Sequence, residues 1–459
     1  MRNPSPDGAL LVDLYELTMA AAYFEHHLEG RATFELFVRQ LPPERSYLVA
    51  AGIDAALDYL ENLHFSEEDV RFLQALPVFR HVSEAFFDYL RAFRFDGDVN
   101  AVDEGSLVFA EEPILQVTGP IAAAQIVETY LLSVINIETM VASKAARVVA
   151  AAQGKEVFEF GTRRAHGPEA GTRAARAAYV GGCAATSNVW AGYRYGIPLA
   201  GTAAHSWTQV FPTERESFEA LAETYPESAT LLIDTYDPII GAETAASLGR
   251  PIAGVRLDSG DLLEKSRRVR EILDRHGRPG VKIVASGDLN ETKIEELLRH
   301  GAPIDAFGVG TELATSRDAP NLSVVYKLVE VDYRGHAEPK TKFSEQKVYA
   351  PGPKQVFRFP AQGVYEHDLI ARASENYPEA SALLQPAMRH GRRVDAQPSA
   401  TEVRAKARAN LARLPARYKA LRGAPTYPVS KSAALKQLLE AVRERYVGVA
   451  EDTKINREH

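Results

Sequence analysis

Seven short apolar runs recur between residues 156 and 326, and six of them are followed by residues able to do chemistry. These are Gly161-Thr-Arg-Arg164, Gly201-Thr-Ala-Ala-His205, Asp234-Thr-Tyr-Asp237, Arg256-Leu-Asp-Ser-Gly-Asp261, Ser286-Gly-Asp288 and Gly310-Thr311. Arg256, Asp258 and Asp261 set a cation and two carboxylates around a Ser-Gly turn, a grouping that can hold an anionic group and ligate Mg²⁺. The same residues would also serve as a capped helix start with an ion pair. Gly287 and the run Phe307-Gly-Val-Gly-Thr311 offer backbone N–H groups that phosphate oxygens can approach without interference from a Cβ, and Thr311 adds a hydroxyl. His205 follows a Gly-Thr turn and two alanines, which leaves space around its imidazole. It could accept a phosphoryl group or move a proton near neutral pH, or simply be a hydrogen-bonded loop histidine. Phe160 and Tyr15 could sandwich a planar aromatic ligand, and could equally be core.

The elements that must position these residues follow from periodicity. Short apolar runs at 156–160, 197–200, 230–233, 252–255, 281–285, 306–309 and 323–326 alternate with amphipathic stretches such as 262–275 and 291–300. That order predicts βα units forming a parallel sheet or barrel, whose sites lie at the strand C-terminal ends. Upstream, Ile53, Leu57, Leu60 and Leu63 share one helix face, and Ser66-Glu-Glu-Asp opens the next helix. From Gly97 to Gly119 short β-rich runs, such as 106–109 and 114–117, predict an antiparallel hairpin closing a first domain. The reading divides the chain into an N-terminal α/β domain at 1–119, a barrel at 120–345 and a C-terminal segment at 346–459 that packs on the N-terminal domain. A basic excess over residues 402–422 reads as a solvated helix face interrupted by Pro415.

Composition narrows the classes. The 459 residues are 46% hydrophobic and 25% charged, and 53 basic against 61 acidic residues give a net charge of −8. Such a chain has no field that attracts nucleic acid or anionic lipid, so neither a nucleic-acid nor a membrane partner is expected. One cysteine excludes an internal disulfide framework and points to a reducing compartment. The most apolar region, 121–152, is broken by Gln125, Glu128, Asn136, Glu138 and Lys144, and Asp7, Asp13 and Glu16 stand where a signal peptide needs apolar residues. A cytoplasmic protein is expected. P-loop, dinucleotide-fingerprint, Gly-x-Ser-x-Gly and His-Glu-x-x-His patterns do not occur.

These motifs converge on a family. Asp13-Leu-Tyr-Glu-Leu-Thr-Met19, Phe34-Glu-Leu-Phe-Val-Arg39, Glu159-Phe-Gly-Thr-Arg-Arg164, Gly201 to His205, Arg256 to Asp261, Ser286-Gly-Asp-Leu289 and Phe307 to Thr311 resemble nicotinate phosphoribosyltransferases. Lys342-Phe-Ser-Glu-Gln-Lys347 and Pro351-Gly-Pro-Lys354 are similar to that family as well. The resemblance implies an irregular α/β barrel of the type II phosphoribosyltransferase kind, with an added α/β domain built from N-terminal and C-terminal segments. It implies joining of nicotinate to 5-phosphoribosyl 1-diphosphate, coupled to ATP hydrolysis through a phosphohistidine, as the entry of nicotinic acid into NAD salvage.

Transferred by motif, His205 is the phosphorylated residue, and His205, Asp258 and Arg256 form the catalytic set. Tyr15, Phe160, Thr202 and Arg256 contact nicotinate, with Tyr15 contributed across a homodimer interface. Arg39, Arg164, Ser286, Gly287, Asp288, Gly308, Gly310 and Thr311 take the phosphoribosyl diphosphate; Arg163 and Lys144 are further basic candidates. Mg²⁺ or Mn²⁺ would sit on Asp258 and Asp261. The amide-specific relative shares the barrel and the histidine, but the spelling around Glu159–Arg164 and Gly201–His205 is that of the acid-specific family. A quinolinate-specific enzyme would lack the histidine motif, and a phosphosugar lyase would need a Schiff-base lysine or a metal triad. A non-catalytic sensor would be marked by loss of the His205 chemistry.

Overall fold

The computed structural model describes residues 8–344 and 347–455, so Glu345 and Gln346 of the Lys342 to Lys347 motif, and Asp7, lie outside the described residues. Six parallel strands stand in the order Ala185–Thr186, Glu156–Glu159, Ala306–Val309, Lys282–Ala285, Gly254–Leu257 and Thr230–Leu232. All four residues of Ala306–Val309 are buried, as expected of a strand covered on both faces. The row curls into an irregular α/β barrel. The run 197–200 does not become a full strand: only Leu199 makes a parallel bridge, to Thr186.

Several connecting helices start where the sequence supplies a cap. Asp261 accepts the N–H groups of Leu263 and Glu264 at the head of Leu262–Arg275, which buries Leu262, Val269, Ile272 and Leu273. Asn290 caps Glu291–Arg299 and Asp237 caps Pro238–Ala246. Ser66 and Asp69 form a reciprocal capping box ahead of Glu67–Gln74.

A second, seven-stranded sheet runs in the order His336–Pro339, Val324–Tyr333, Arg31–Val38, Pro113–Pro120, Asp98–Val102, Leu384–Arg389 and Arg392–Arg393. Leu384–Arg389 pairs antiparallel with Asp98–Val102, so the C-terminal segment returns to the N-terminal sheet. The run at 323–326 belongs here and not to the barrel, since Val324–Tyr333 pairs antiparallel with Arg31–Val38. Its later residues Glu330 and Asp332 alternate with Val329, Val331 and Tyr333, the pattern of a half-buried antiparallel strand.

Within the span 97–119, expected to form an antiparallel hairpin, Asp98–Val102 pairs antiparallel with Pro113–Pro120, and only the run 106–109 leaves for a distant partner. Leu107–Val108 joins Leu48–Val49, while Pro113–Pro120 lies between Arg31–Val38 and Asp98–Val102. Four more strands, Ser381–Ala382, Lys354–Ala361, Val364–Arg372 and Val429–Lys431, make a separate C-terminal sheet. The helical stretch Ile121–Ala151 is long and apolar enough to cross a membrane by length and composition, yet 61% of its most apolar window is buried inside the protein. Lys144 and Arg147 within it bond Glu291. It is a core helix joining the two sheets.

Candidate active site

Arg256, near the end of Gly254–Leu257, organises the barrel mouth through three hydrogen bonds. Its Nε donates to Ser286 Oγ at 2.8 Å, Nη1 to Thr202 Oγ1 at 2.7 Å and Nη2 to Asp258 Oδ1 at 2.7 Å. Ser286 in turn donates to the same Asp258 oxygen at 2.5 Å. Burial alone would raise the Asp258 carboxyl, but the bond from Ser286 and the Arg256 guanidinium outweigh it and hold the group below the ordinary range. The carboxylate is therefore ionised at neutral pH. The ends of two strands and the loop after the Leu199 bridge are thus tied into one ring.

Phe160 lies beside this ring, its centroid 6.0 Å from the Arg256 guanidinium carbon. A Cβ at Gly308 would stand 2.6 Å from the Phe160 ring, so that glycine lets the aromatic side chain settle against the neighbouring strand. Glu159 sets the turn beneath it: fully buried, it accepts from the N–H of Gly161 and from Thr186 Oγ1. Burial raises its carboxyl against those two bonds. Gly287 has φ +98°, and a Cβ there would lie 2.0 Å from the Asp258 carbonyl oxygen. Only glycine closes that turn.

His205 heads the short helix His205–Val210. Its Nδ1 lies 3.2 Å from Thr235 Oγ1 and its Nε2 is 4.0 Å from Asp258 Oδ2, while 42% of the side chain stays exposed. One nitrogen is steadied by a hydroxyl and the other faces the open mouth. Asp234, absent from the sequence-derived site, belongs beside it. Its Oδ2 accepts from the Asp258 N–H at 2.8 Å and from Ser259 Oγ at 3.0 Å, whereas the buried Oδ1 has no hydrogen-bond partner among the described residues. Its place directly after Thr230–Leu232, at the same end as Arg256, was the available signal.

The structure thus gathers His205, Asp258, Arg256, Thr202, Phe160 and Ser286, with the Gly287 and Gly308 backbones. Gly310 and Thr311 lie where Ala306–Val309 passes into Thr311–Ala314. Arg164 and Asp288 are exposed near the mouth, Asp288 with φ +46°. Asp261 is committed to its helix cap. Lys144 is not available to a substrate: it is buried, 2.6 Å from Glu291 and 2.8 Å from Asp318.

Tyr15 is 45% exposed, on the helix Leu14–Glu25, and its hydroxyl faces Glu128. Burial of the hydroxyl and the nearby carboxylates of Glu128, Glu16 and Asp13 push it above the ordinary phenol range. Arg39 lies at the end of Arg31–Val38 and, with Lys342 and Lys347, crowds Lys327, whose ammonium is pushed down by burial and by these cations against the pull of Glu128. None of these four cations is in an ion pair among the described residues. Lys327 was missed because its neighbours are distant in sequence.

Parallel strands, a hydrogen-bonded Arg-Asp-Ser ring, an open histidine and glycine turns define an α/β-barrel enzyme built for anionic and phosphorylated substrates. Three family models match: the nicotinate phosphoribosyltransferase N-terminal domain over residues 10–136, the nicotinate phosphoribosyltransferase family over 156–348 and the C-terminal domain over 372–439. A nicotinate phosphoribosyltransferase of Mycobacterium tuberculosis is 45% identical over 97% of this chain and 95% of its own length. The human nicotinate phosphoribosyltransferase is 31% identical over 94% and 96%. A crystal structure of human nicotinic acid phosphoribosyltransferase superposes with a TM-score of 0.82 at 29% identity, covering 94% of this chain and 99% of that one. A nicotinate-nucleotide pyrophosphorylase from Pyrococcus furiosus gives 0.73 at 25% identity, covering 90% and 98%. The chain belongs to the nicotinate phosphoribosyltransferase family.

Proposed function

We propose that this chain joins nicotinate to 5-phosphoribosyl 1-diphosphate, giving nicotinate mononucleotide and diphosphate, with ATP hydrolysis coupled through phosphorylation of His205. The observation that carries the reading is the ring around Arg256, which places a cation, an ionised carboxylate and an aromatic face at one strand-end mouth. Nicotinate is a planar anion. Phe160 offers a stacking face, and the Arg256 guanidinium, fixed by Thr202, Ser286 and Asp258, can pair with its carboxylate. Displacement at the ribosyl C1 builds positive charge on the sugar, which the Asp258 carboxylate stabilises without reorganising. Ser286, Gly287, Gly308, Gly310 and Thr311 offer N–H and hydroxyl donors to the 5′-phosphate.

Mg²⁺ or Mn²⁺ would be held by Asp258 with Asp234, whose buried Oδ1 has no partner among the described residues, while Asp261 uses one carboxylate oxygen on its helix cap. Among the described residues no group of three or more His, Cys, Asp or Glu could hold a metal, so substrate oxygens and water would complete the shell. Such an ion supplies charge neutralisation on the diphosphate.

In this reading, His205 takes the γ-phosphoryl of ATP on its exposed Nε2, while Thr235 holds Nδ1. The enzyme acts as a homodimer, with Tyr15 of a second subunit closing the other face of nicotinate. Tyr15, Leu11, Leu14 and Met19 form an exposed apolar group, and the residues around the Tyr15 hydroxyl come from outside the barrel mouth. Arg39, Lys327, Lys342 and Lys347 beside it suit phosphate groups.

The test is diphosphate release with nicotinate or nicotinamide, each with and without ATP, for the wild type and His205→Ala. Nicotinate-dependent release that ATP stimulates in the wild type but not in the variant is expected. Preference for nicotinamide, or ATP stimulation that survives in His205→Ala, would overturn the corresponding part.

A further inference from the structure

Where the C-terminal sheet meets the N-terminal half of the chain, three ionisable side chains are buried against one another. They are Arg358 on Lys354–Ala361, Asp368 on Val364–Arg372 and Glu112 just ahead of Pro113–Pro120, each at most 3% exposed. The Arg358 guanidinium is committed to Asp368, its Nε 3.0 Å from Oδ1 and its Nη2 2.5 Å from Oδ2. The same Nη2 donates across the seam to the Leu107 carbonyl at 2.9 Å, and the group stands over the rings of Phe109 and Tyr365. Tyr427 completes the seam: its ring stacks on Phe109 at 3.9 Å and its hydroxyl donates to Asp368 Oδ1 at 3.1 Å.

The charges here do not balance. One guanidinium serves two carboxyl groups, and Glu112 Oε2 is 4.0 Å from Arg358 Nη2, beyond hydrogen-bond reach. Oε2 accepts the Phe109 N–H at 2.8 Å, while the buried Oε1 has no partner among the described residues as long as it can only accept. A buried charge without a partner is neutralised by taking up a proton, and a protonated Oε1 would become a donor. An acceptor for it is at hand, because Asp368 faces Glu112 at hydrogen-bonding range. Burial and the Asp368 charge push the Glu112 carboxyl well above the carboxylate range, against the pull of Arg358. The remaining ionisable groups do not supply the missing charge. Tyr427, pushed up by burial and by Asp368, stays a neutral donor. Glu111 is matched by Lys431 at 2.8 Å, and Arg413 is held over the Tyr365 ring, 4.5 Å from its centroid.

We propose that Glu112 keeps its proton at neutral pH and donates it to Asp368, making a carboxyl–carboxylate latch that fastens the C-terminal sheet to the N-terminal half and loosens as pH rises. Release of that proton to solvent leaves two carboxylates against one guanidinium in a buried seam. The unfolded chain releases it near the ordinary value of 4.5, so above that pH the native state holds one proton more and stability falls until the folded group ionises. One proton of difference raises the unfolding constant roughly tenfold per pH unit. The latch takes no part in the catalytic reading and does not depend on it.

Infrared difference spectroscopy, denaturant unfolding and amide exchange of the full-length protein and of Glu112→Gln test it. The glutamine amide can donate to Asp368 but has no proton to lose. At pH 7 the wild type minus variant spectrum should show the carbonyl band of a protonated carboxylic acid, and that band should vanish on alkaline titration. The unfolding constant of Glu112→Gln should rise with pH less steeply, by roughly tenfold per unit. As pH rises, the amides of Lys354–Ala361 and Val364–Arg372 should lose protection relative to those of Ala306–Val309 in the wild type but not in the variant. A difference spectrum with only a carboxylate band, equal pH dependence in the two proteins, or loss of protection that is uniform across the sheets would overturn the proposal. So would failure of Glu112→Gln to fold where the wild type folds, because a neutral isostere that cannot replace Glu112 would mean that its charge is required.

Discussion

Two arginine clusters built from the same residue types stand in different parts of this molecule. Beneath the sheets, Arg176 bonds Glu104 at 2.8 Å through both terminal nitrogens and Glu138 at 2.7 Å, all three side chains at most 4% exposed. At the barrel mouth, Arg256 bonds Asp258 at 2.7 Å, but Asp258 is 31% and its neighbour His205 42% exposed. In the inner cluster the buried charges satisfy one another. The outer cluster is just as ordered but partly exposed, with a second Asp258 oxygen and an imidazole nitrogen outside its hydrogen bonds. Unspent bonding capacity facing an opening, and not charge itself, separates a site from a staple.

The largest effects should fall on opposite observables in the two clusters. Arg256→Ala should lower kcat/KM for nicotinate roughly 1,000-fold, about 4 kcal/mol of barrier, while the melting temperature moves by only a few degrees. Arg176→Met leaves the buried Glu104 without a cation and Glu138 with Arg173 alone at 3.4 Å, and should cost about 3–5 kcal/mol of stability, read by denaturant unfolding, with turnover of the folded fraction within a few-fold of wild type. A large stability loss in the first variant, or a selective loss of turnover in the second, would break the contrast.

A smaller test concerns backbone instead of charge. Gly287→Ala puts a Cβ 2.0 Å from the Asp258 carbonyl and imposes a side chain at φ +98°. Because a displacement of about 1 Å near reacting groups costs on the order of 100-fold, activity should fall roughly 10–100-fold, seen as a raised KM for the phosphoribosyl donor with a modest loss of melting temperature. An unchanged KM would remove this turn from the donor site.

A last test concerns a buried carboxyl that lies in neither cluster. Burial pushes Glu16 up to about 8, against hydrogen bonds from Thr129 and with help from Glu128 and Asp13. The folded state therefore keeps a proton that the unfolded chain releases near its ordinary value, about 4.5. Between these two values the native state binds more protons, so stability falls as pH rises from about 4.5 to about 8. Melting temperatures across that window should decline in the wild type and decline less in Glu16→Gln. An identical slope in both proteins would place the pH sensitivity elsewhere.

Much of this was legible in the chain because much of it is local. The helix 262–275 was expected with the boundaries observed, since a 3.6-residue period and an Asp cap act within a few residues of one another. The strand-end residues were legible for the same reason: apolar runs followed by small and charged residues announce where a parallel strand stops. The choice of partners was not local. Residues 323–326 look like another barrel strand until the sheet that accepts them is known, and 106–109 looks like part of a hairpin within 97–119 until Leu48–Val49 is found to pair with it. Lys144 is a plausible phosphate ligand in one dimension and a buried partner of Glu291 in three.

The sequence alone determined the alternation of strand and helix, local caps such as that of Asp261 and the residue types delivered to the barrel mouth, because these depend on contacts among near neighbours. Only the tertiary structure decided that Asp234 Oδ1 is left without a partner among the described residues, and that Thr202, Arg256, Asp258 and Ser286 close one ring. Whether a polar side chain is spent or available depends on which donors and acceptors the fold brings within about 3 Å of it, and those come from residues far away in the chain.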